Sequence, residues 1–493
     1  MGTTASLAWF RPELVLTAGI LAVVALDLLA TAARRPVGST AGLVSFVATA
    51  VAIACAVPLL GAPGGWLFGR MLVLDGFSVF FKLLLGLALV AVVWMSLGSR
   101  EVRGRPNEGE YYTLVLASGL AMFLMAGAAN LLMAYLALEF VSLVSYVLTG
   151  FLRHDRRSSE AALKYLIYGA VASGSMIYGM SWIFGLTGAM DYAGIAAGVG
   201  ALDAASRPAF FFALVLVLTG FGYKIAAVPF HMWAPDVYTG APIPVTAFLA
   251  VGSKAAGFAM LMRFFFLGGE ASRASFDAIP LRELGAIVAV ATMTLGNLAA
   301  LSQTNMKRLL AYSSIAHAGY ALLGFVVLAD SGLEAVLFYL AVYYAMNLGA
   351  FWVLMLVADA SGREDIEAFR GLARRGGAVP AVAMAVFLFS LAGIPPLAGF
   401  FGKYFVFKAA LEGGLVALVV IGLVNSVVSL YYYARVVKAM FLDDARDGDP
   451  AIRLRPGDLG AVAVLSVATV GLVLNFNWLL DLVYASRPVL PGS

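Results

Sequence analysis

The chain has few of the residues that hold metals or redox centres in proteins. It contains one cysteine, Cys55, which excludes an internal disulfide, a cysteine-ligated iron–sulfur cluster and a zinc cage within this chain. Its three histidines, His154, His231 and His317, are too few and too scattered for a haem or metal site. The glycine-rich run at 61–65 follows no predicted strand, so it is not a nucleotide site. We expect this chain to bind no cofactor of its own.

Charge is also scarce. Charged residues make up 12% of the chain and hydrophobic residues 62%, and the mean hydropathy is +0.93. This composition lies far outside the range of soluble proteins. Apolar runs long enough to cross a bilayer recur from end to end. The sequence therefore predicts an all-α polytopic membrane protein with about fourteen transmembrane helices. The predicted spans are 13–32, 41–60, 74–97, 111–128, 130–152, 160–186, 209–229, 243–266, 283–301, 309–328, 333–357, 380–410, 413–440 and 457–484.

The basic residues of the loops indicate an orientation. If both ends of the chain lie on one face, 7 basic residues fall on that face and 19 on the opposite one, and the remaining six of the 32 lie inside apolar runs. Because basic loops tend to stay in the cytoplasm, we expect both termini on the periplasmic side. The first span has too long an apolar core for a signal peptide, so we expect it to be retained. The net charge of +4 reflects this topology and gives no argument for nucleic-acid binding.

The lysines are distributed differently from the arginines. Six of the eight lysines lie in apolar runs, whereas none of the 24 arginines lies in the middle of one. A buried lysine can lose its proton, while arginine stays charged. The distribution therefore favours a function in proton transfer. The six lysines are Lys82, Lys164, Lys224, Lys254, Lys403 and Lys408, and the loop positions hold Lys307 and Lys438.

Two segments share the pattern E-A-x-L-x-Y-L. The first begins at Glu160 in the sixth span, and the second begins at Glu334, 174 residues and five spans later. An odd number of spans per repeat places the two copies in opposite orientations, as in the inverted repeats of transporters. We therefore predict an inverted five-helix repeat. The predicted parts are three helices at 1–110, the first repeat at 111–266, the second repeat at 283–440 and a last helix at 441–493.

Prolines interrupt the seventh and twelfth spans beside a lysine. Lys224 precedes the proline-rich run 229–244, and Lys403 follows Pro395 and Pro396. Proline removes a backbone donor and breaks a helix. A broken helix is tolerated at membrane depth where its free backbone lines a polar cavity. We predict two broken helices, each with a lysine beside the break.

Two further groups lie deep in the predicted membrane. Glu139 lies about ten residues into its span, where a carboxylate costs ~2.5–3.5 kcal/mol on insertion scales. We expect Lys224 to be its partner, and a purely structural ion pair is the alternative. Lys254 has no acid within ten residues and lies about eleven residues from each end of its span. Proton transfer is the favoured interpretation of Lys254, and snorkelling to the membrane surface is the alternative.

The other intramembrane lysines have simpler explanations. Lys164 lies four residues after Glu160, so an i,i+4 ion pair on the helix surface accounts for it. Lys82 and Lys408 lie nearer the outer ends of their spans, where snorkelling explains them. These three positions are therefore weaker candidates for proton transfer.

Two histidines are candidate relays, because histidine titrates close to neutral pH. His231 lies inside the proline-rich run, with Asp236 five residues further on. His317 lies beside serines in the tenth span. A polar residue with a purely structural role is the alternative at both positions.

Four motifs together resemble a known family. They are Y-K-x-A-x-V-P-F-H-x-W-x-P-D-x-Y-x-G-A-P at 223–242, A-G-I-P-P-L-A-G-F-x-G-K at 392–403, N-x-K-R-L-L-A-Y-S-S-I-A-H-x-G-Y at 305–320 and L-E-x-x-S-x-x-S-Y at 138–146. The chain resembles the antiporter-like subunits of respiratory complex I and of multisubunit Na⁺/H⁺ antiporters over about residues 70–440. The resemblance implies a fold of fourteen helices with an inverted five-helix repeat.

Within complex I, the resemblance narrows to one of three such subunits. One of the other two carries a long C-terminal lateral helix, whereas this chain stops after its fourteenth span. The second has a glutamate in the broken twelfth helix, where this chain has Lys403. The sequence fits the third subunit. The resemblance to it implies proton-transfer positions at Glu139, Lys164, Lys224, His231, Lys254 and Lys403. We add His317 to these positions as a further candidate.

The resemblance also implies a function and partners. Such a subunit moves protons from cytoplasm to periplasm across the bacterial inner membrane, coupled to electron transfer from NADH to quinone. The partner subunits would hold FMN, iron–sulfur clusters and quinone. The neighbours in the bilayer would be antiporter-like and small hydrophobic subunits. A Na⁺/H⁺ antiporter, a membrane hydrogenase subunit and a scaffold with an inactive proton path are the alternatives.

Overall fold

The computed structural model describes residues 3–34, 37–452 and 454–488; Arg35 and Arg453, counted above among the basic loop residues, lie outside these ranges. The chain is mostly helical, because a helix satisfies its own backbone hydrogen bonds inside a bilayer. The helices of the first half are α1 (Thr3–Trp9), α2 (Arg11–Ala32), α3 (Ser39–Ala56), α4 (Gly76–Gly98), α5 (Glu108–Gly127), α6 (Leu131–Thr149), α7 (Arg156–Thr187), α8 (Tyr192–Gly200), α9 (Arg207–Ile225), α10 (Trp233–Gly240), α11 (Ile243–Phe248) and α12 (Lys254–Phe266).

The second half also consists mainly of long apolar helices. Its helices are α13 (Gly269–Ala274), α14 (Leu281–Leu301), α15 (Met306–Val326), α16 (Asp330–Ser361), α17 (Ala378–Ala392), α18 (Ala398–Glu412), α19 (Val416–Phe441), α20 (Pro456–Leu474) and α21 (Asn477–Tyr484). The irregular helical turns are 3₁₀ turns at Val57–Gly61 and Ile366–Phe369 and a π-helical turn at Leu249–Ser253. Two short antiparallel strands, β1 (Gly65–Leu67) and β2 (Leu72–Leu74), precede α4.

The predicted spans agree with the structure. In the described part of the chain, thirteen helices are long and apolar enough to cross a membrane, with α11, the π-helical turn and α12 forming one of them. They coincide with thirteen of the fourteen predicted spans. The remaining span, the twelfth, is divided between α17 and α18. The prediction of an all-α polytopic fold with broken helices is therefore confirmed.

Both predicted breaks occur beside their lysines. Helix α9 ends one residue after Lys224, where Ala226 adopts a left-handed conformation with φ 58°. Helix α17 ends at Ala392 and is capped by Gly393, whose φ of 88° suits glycine, and α18 begins after the two prolines that follow. Each break leaves a helix end inside the protein, with backbone groups available to neighbouring side chains.

The most buried elements form the centre of the molecule. Helices α11, α12, α15 and α16 are enclosed almost completely by the others. Lys254 is the first residue after the π-helical turn that joins α11 to α12. The sequence did not predict this turn. Because π-helical turns occur frequently at functional sites, its position directly before Lys254 draws attention to this lysine.

Two basic residues lie where they were not predicted. Lys82 does not snorkel; its Nζ lies 2.7 Å from Glu13 Oε1 of α2, and both side chains are buried. Arg263, in the last turn of α12, is also buried. It forms a bidentate ion pair with Asp75 and donates to the carbonyl oxygen of Ala126 at 3.0 Å. In both cases a distant acid pairs with the cation and makes burial tolerable.

Candidate proton-transfer site

Lys224 lies in the last turn of α9, directly before the first break. It is buried, and its ammonium donates a hydrogen bond to Ser142 Oγ of α6 at 3.2 Å. Glu139 lies one turn before Ser142 on the same helix and is close enough to act electrostatically on Lys224. Among the described residues, no ion pair within 4 Å joins Glu139 to Lys224. The predicted pair is therefore near in space but not in direct contact.

Lys254 is held at the centre of the molecule by α15. Its ammonium donates to the carbonyl oxygen of Ser314 at 2.6 Å and also contacts the Ser314 hydroxyl. Only 3% of Lys254 is exposed. This depth excludes the snorkelling alternative, because the ammonium reaches a protein carbonyl and not the membrane surface.

One face of α15 leads from Lys254 into the second half of the chain. Ser314, His317 and Tyr320 recur every third residue, so they lie along one side of the helix over ~9 Å. His317 is buried; its Nδ1 lies 2.5 Å from the hydroxyl of Tyr339, and its Nε2 lies 3.3 Å from the hydroxyl of Tyr433. Hydroxyl and imidazole groups can both donate and accept hydrogen bonds. This face therefore presents a row of groups suited to proton transfer.

Lys403 of α18 lies at the far end of this row. Its ammonium lies 4.6 Å from the ring centroid of Tyr320. It donates to the carbonyl oxygen of Ala392 and to Ser426 Oγ, both at 2.8 Å. Ala392 is the last residue of α17, so the broken helix supplies this carbonyl. The predicted arrangement of a lysine at a helix end is thus present in the second break.

Three buried lysines of this site differ from the other buried lysines in having no acidic partner. Within the described residues, no ion pair includes Lys224, Lys254 or Lys403. By contrast, Lys82 lies 2.7 Å from a glutamate, and so does Lys307. Desolvating an ammonium without a counter-ion costs on the order of several kcal/mol. This cost disfavours the charged form of the lysine. Such lysines are suited to exchange protons.

Lys164 and His231 lie outside this row. Lys164 Nζ lies 2.7 Å from Glu160 and 2.8 Å from Asp236, and about 40% of the side chain is exposed. Asp236 also lies 2.6 Å from Arg308 of α15. His231 is buried in the first break. Asp236 forms its ion pairs with Lys164 and Arg308. Asp236 therefore connects α7 to α15, a contact that the sequence did not predict.

Replacing Asp236 by asparagine should weaken this connection in a pH-dependent way. Burial alone raises the pKa of Asp236, but hydrogen bonds from Lys164 and Arg308 outweigh it and hold the pKa below its ordinary value of 3.8. The charged carboxylate therefore stabilises the fold at neutral pH, and this contribution is lost as the pH falls through the lowered pKa. We expect Asp236→Asn to reduce stability by ~1 kcal/mol or less, as for other partly exposed ion pairs.

Thermal unfolding of the purified complex in detergent, followed by fluorescence, measures this effect. The difference from wild type should be present at pH 7 and should shrink below pH 3.8, the ordinary pKa of this side chain. Glu412→Gln removes an exposed acid from a different ion pair and is the matched control. A difference that stayed constant over the whole pH range would contradict the assigned ion pairs.

A polar cavity of about 570 Å³ opens on the basic face beside the start of α11. Glu101 lines it and accepts a hydrogen bond at 2.7 Å from the backbone N–H of Ile243, the first residue of α11. Burial raises the pKa of Glu101 above its ordinary value of 4.5, although nearby Lys307 acts in the opposite direction. Lys307 is not a loop residue as predicted; it is buried in the first turn of α15, 2.7 Å from Glu364. The helix that leads to Lys254 therefore begins at a cavity with a readily protonated carboxyl group.

Together, the broken helices and the buried lysines define an antiporter-like membrane subunit. Residues 128–429 match the family model described as NADH:quinone oxidoreductase/Mrp antiporter, TM. The chain belongs to this family.

The chain also has similar relatives over nearly its whole length. It is 46% identical to NADH-quinone oxidoreductase subunit N of Anaeromyxobacter sp. (strain Fw109-5), covering 96% of this chain and 94% of that protein. It is 47% identical to NADH-quinone oxidoreductase subunit N 2 of Sorangium cellulosum (strain So ce56), covering 99% of both. These names confirm the predicted choice among the three antiporter-like subunits of complex I.

Solved structures show the same fold. A chain of respiratory complex I from Thermus thermophilus with bound Aureothin is 34% identical, with a TM-score of 0.79, covering 95% of this chain and 98% of that one. A chain of the Mrp complex from Dietzia sp. DQ12-45-1b has a TM-score of 0.82 at 23% identity, covering 98% of this chain and 97% of that one. The second match shows the fold alone.

Proposed function

We propose that this chain translocates protons as an antiporter-like subunit of an NADH:quinone oxidoreductase. The observation that carries the proposal is a set of three buried lysines without acidic partners among the described residues. They are Lys224 beside Ser142 of α6, Lys254 beside Ser314 of α15 and Lys403 beside Tyr320 of α15. A structural scaffold has no need of unpaired buried cations, which are costly to keep. The family match and the names of the relatives support the same function.

Proton transfer would proceed from the first break to the second. A proton from the cytoplasm reaches Lys224 from the side of the break that holds His231. Lys224 passes it to Lys254, and the Ser314 and His317 positions of α15 carry it on to Lys403. The break between α17 and α18 then releases it to the periplasm.

Glu139 would control the first transfer. Its carboxylate favours the protonated form of Lys224 while it is close, and the neutral form becomes easier to reach when a charge shift in the adjoining subunit draws it away. One pKa unit corresponds to ~1.4 kcal/mol, so a movement of a few ångströms is enough to reverse the direction of transfer. Ser142 Oγ accepts the hydrogen bond from the Lys224 ammonium, and the Ser142 hydroxyl itself donates to the carbonyl oxygen of Leu138.

The proposal also includes the orientation of the chain in the membrane and its partner subunits. The basic loops lie in the cytoplasm of a bacterial cell and both termini in the periplasm. The first repeat takes up the proton, and the second releases it. In the described residues, no group of three or more histidine, cysteine or acidic side chains is placed to hold a metal ion. FMN, iron–sulfur clusters and quinone belong to partner subunits, and the bilayer neighbours are antiporter-like and small hydrophobic subunits.

Proton pumping by the purified complex in sodium-free proteoliposomes tests the function. External NADH reaches only the complexes whose NADH site faces outward. Because these complexes would pump protons away from the NADH side, acidification of the lumen is the expected result. Alkalinisation would overturn the proposed direction. A flux that appeared only after sodium was added would instead indicate a Na⁺/H⁺ antiporter.

Replacing Glu101 by glutamine should slow proton uptake, because the cavity loses a carboxyl group that can bind and release a proton. The raised pKa of Glu101 means that it keeps its proton to a higher pH than an ordinary glutamate and can supply it when bulk protons are scarce. The expected loss is on the order of 10²-fold, the lower figure for a positioned proton-transfer group, and it should fade above the raised pKa, where wild-type Glu101 has also lost its proton. The measurement is the pH profile of pumping between pH 6 and pH 9. Glu110→Gln, an exposed acid on the same face, is the control, and identical profiles for both variants would contradict a role for this cavity.

A further inference from the structure

A deep apolar crevice runs between α4, α16, α20 and α21. It has a volume of about 740 Å³. Along α4 it extends from Phe80 to Trp94, fourteen helical steps or about 21 Å. One leaflet contributes about half of the ~30 Å hydrocarbon thickness of a bilayer. The crevice is therefore long enough to hold an extended acyl chain.

A polar cavity of about 380 Å³ lies at the basic end of the same helices. Arg100, just after α4, and Arg455, just before α20, line it together with Asp359 and Asp458. Arg455 donates to Asp458 from Nε at 2.7 Å and from one terminal nitrogen at 3.3 Å, and its other terminal nitrogen donates to the carbonyl oxygen of Gly98 at 2.7 Å. The Arg100 guanidinium donates to the carbonyl oxygen of Asp359. Both arginines are exposed. A guanidinium has five N–H donors, so these contacts leave donors on each arginine for a further acceptor.

The two cavities are one helical turn apart. On α16, Leu356 of the polar cavity follows Trp352 of the crevice by four residues, and on α20 Asp458 precedes Ala461 by three. Trp94 and Trp352 pack edge to face, with ring centroids 5.5 Å apart, and the Trp352 indole N–H donates to Asp458 Oδ1 at 3.4 Å. Tryptophan favours the boundary between headgroups and acyl chains. The pair therefore marks the depth at which a bound lipid changes from polar to apolar.

We propose that these two cavities form one binding site for a glycerophospholipid of the leaflet on the basic face. The phosphate binds Arg100 and Arg455, because planar guanidinium groups match phosphate oxygens. An acyl chain fills the crevice below the tryptophan pair. Asp359 and Asp458 hold the two guanidinium groups in place, and the groups recognise the phosphate that phospholipids share. The site is separate from the proton path and does not depend on the proposed function.

A helix of a neighbouring subunit is the competing occupant of the crevice. Such a helix would fill the apolar part, but it would bring no phosphate to the two arginines. The juxtaposition of basic pocket, tryptophan boundary and apolar crevice follows the order of groups along a phospholipid. This order favours a lipid as the occupant.

The test counts the phospholipids that stay bound to the purified complex after extensive washing with detergent, by native mass spectrometry. Each site variant should retain one phospholipid fewer than wild type, and the control should retain the same number. The first site variant, Arg100→Ala with Arg455→Ala, removes the phosphate contacts, and the second, Ala468→Phe, fills the crevice. The control, Arg153→Ala with Arg374→Ala, removes two exposed arginines that line neither cavity.

A structure of the wild-type complex in lipid nanodiscs gives a second, independent readout. Density for a lipid headgroup beside Arg100, continuous with a chain below Trp94, is expected. Helical density from a partner subunit in the crevice would overturn the proposal. An unchanged phospholipid count in either site variant would also overturn it, because the proposed lipid needs both the arginines and the crevice.

Discussion

Replacing Lys254 by methionine should stop proton translocation through this chain while leaving its fold intact. Lys254 is the middle step of the proposed path, hydrogen-bonded to Ser314 on the helix whose Tyr320 lies beside Lys403. Methionine has a similar length and removes a buried cation that has no acidic partner, so assembly should be preserved. A positioned proton-transfer group contributes on the order of 10²–10⁴-fold to a rate, and the flux by this path should fall by at least the lower figure. Protons moved per NADH oxidised, in proteoliposomes, is the measurement.

Two further variants separate proton transfer from charge alone. Lys254→Arg keeps a cation beside Ser314 but does not release its proton at physiological pH, so it should be as inactive as the methionine variant. Lys408→Met changes an exposed lysine, 3.8 Å from Glu412, and should pump at the wild-type level. Wild-type pumping by Lys254→Arg would show that the positive charge suffices, and the proposed role of Lys254 would then be wrong.

Lys254 also shows how much of the site could be predicted from the sequence. A single lysine in a long apolar run with no nearby acid has few structural explanations, and the structure places it at the centre. The prolines beside Lys224 and Lys403 predicted both helix breaks, because their effect on a helix is local. The serine, histidine and tyrosine spaced by three along α15 were also visible in the sequence. Their shared face follows from helical periodicity once the helix is assigned.

The errors concern contacts between residues far apart in the chain. Lys82 was predicted to snorkel, because nothing in its own span pairs with it, but Glu13 of another helix does. Arg263 is buried for the same reason, through Asp75, which lies 188 residues away. Lys307 looked like a loop residue because it begins a helix, yet it is buried. Local hydrophobicity predicts that a segment enters the membrane, whereas the burial of a charge depends on a partner that only the fold brings close.

Changing Glu139 to glutamine should slow pumping and shift its pH dependence towards acid. The carboxylate is the acidic group that acts on Lys224, and its removal makes proton uptake by that lysine less favourable. If the lost attraction is ~1.4 kcal/mol, uptake falls tenfold at a given pH, and a pH lower by one unit restores it. Glu139→Asp keeps the charge and should retain most of the activity. The pH profile of NADH-driven pumping measures the shift.

A matched control decides whether this shift is specific to Glu139. Glu160→Gln removes a carboxylate of α7 from an exposed ion pair in which Lys164 keeps its contact with Asp236, so its pH profile should match wild type. A structural defect caused by Glu139→Gln would lower pumping equally at every pH, because misplaced groups are not restored by a higher proton concentration. Recovery at acid pH in the Glu139→Gln variant alone therefore distinguishes an electrostatic gate at Lys224 from a packing role for Glu139.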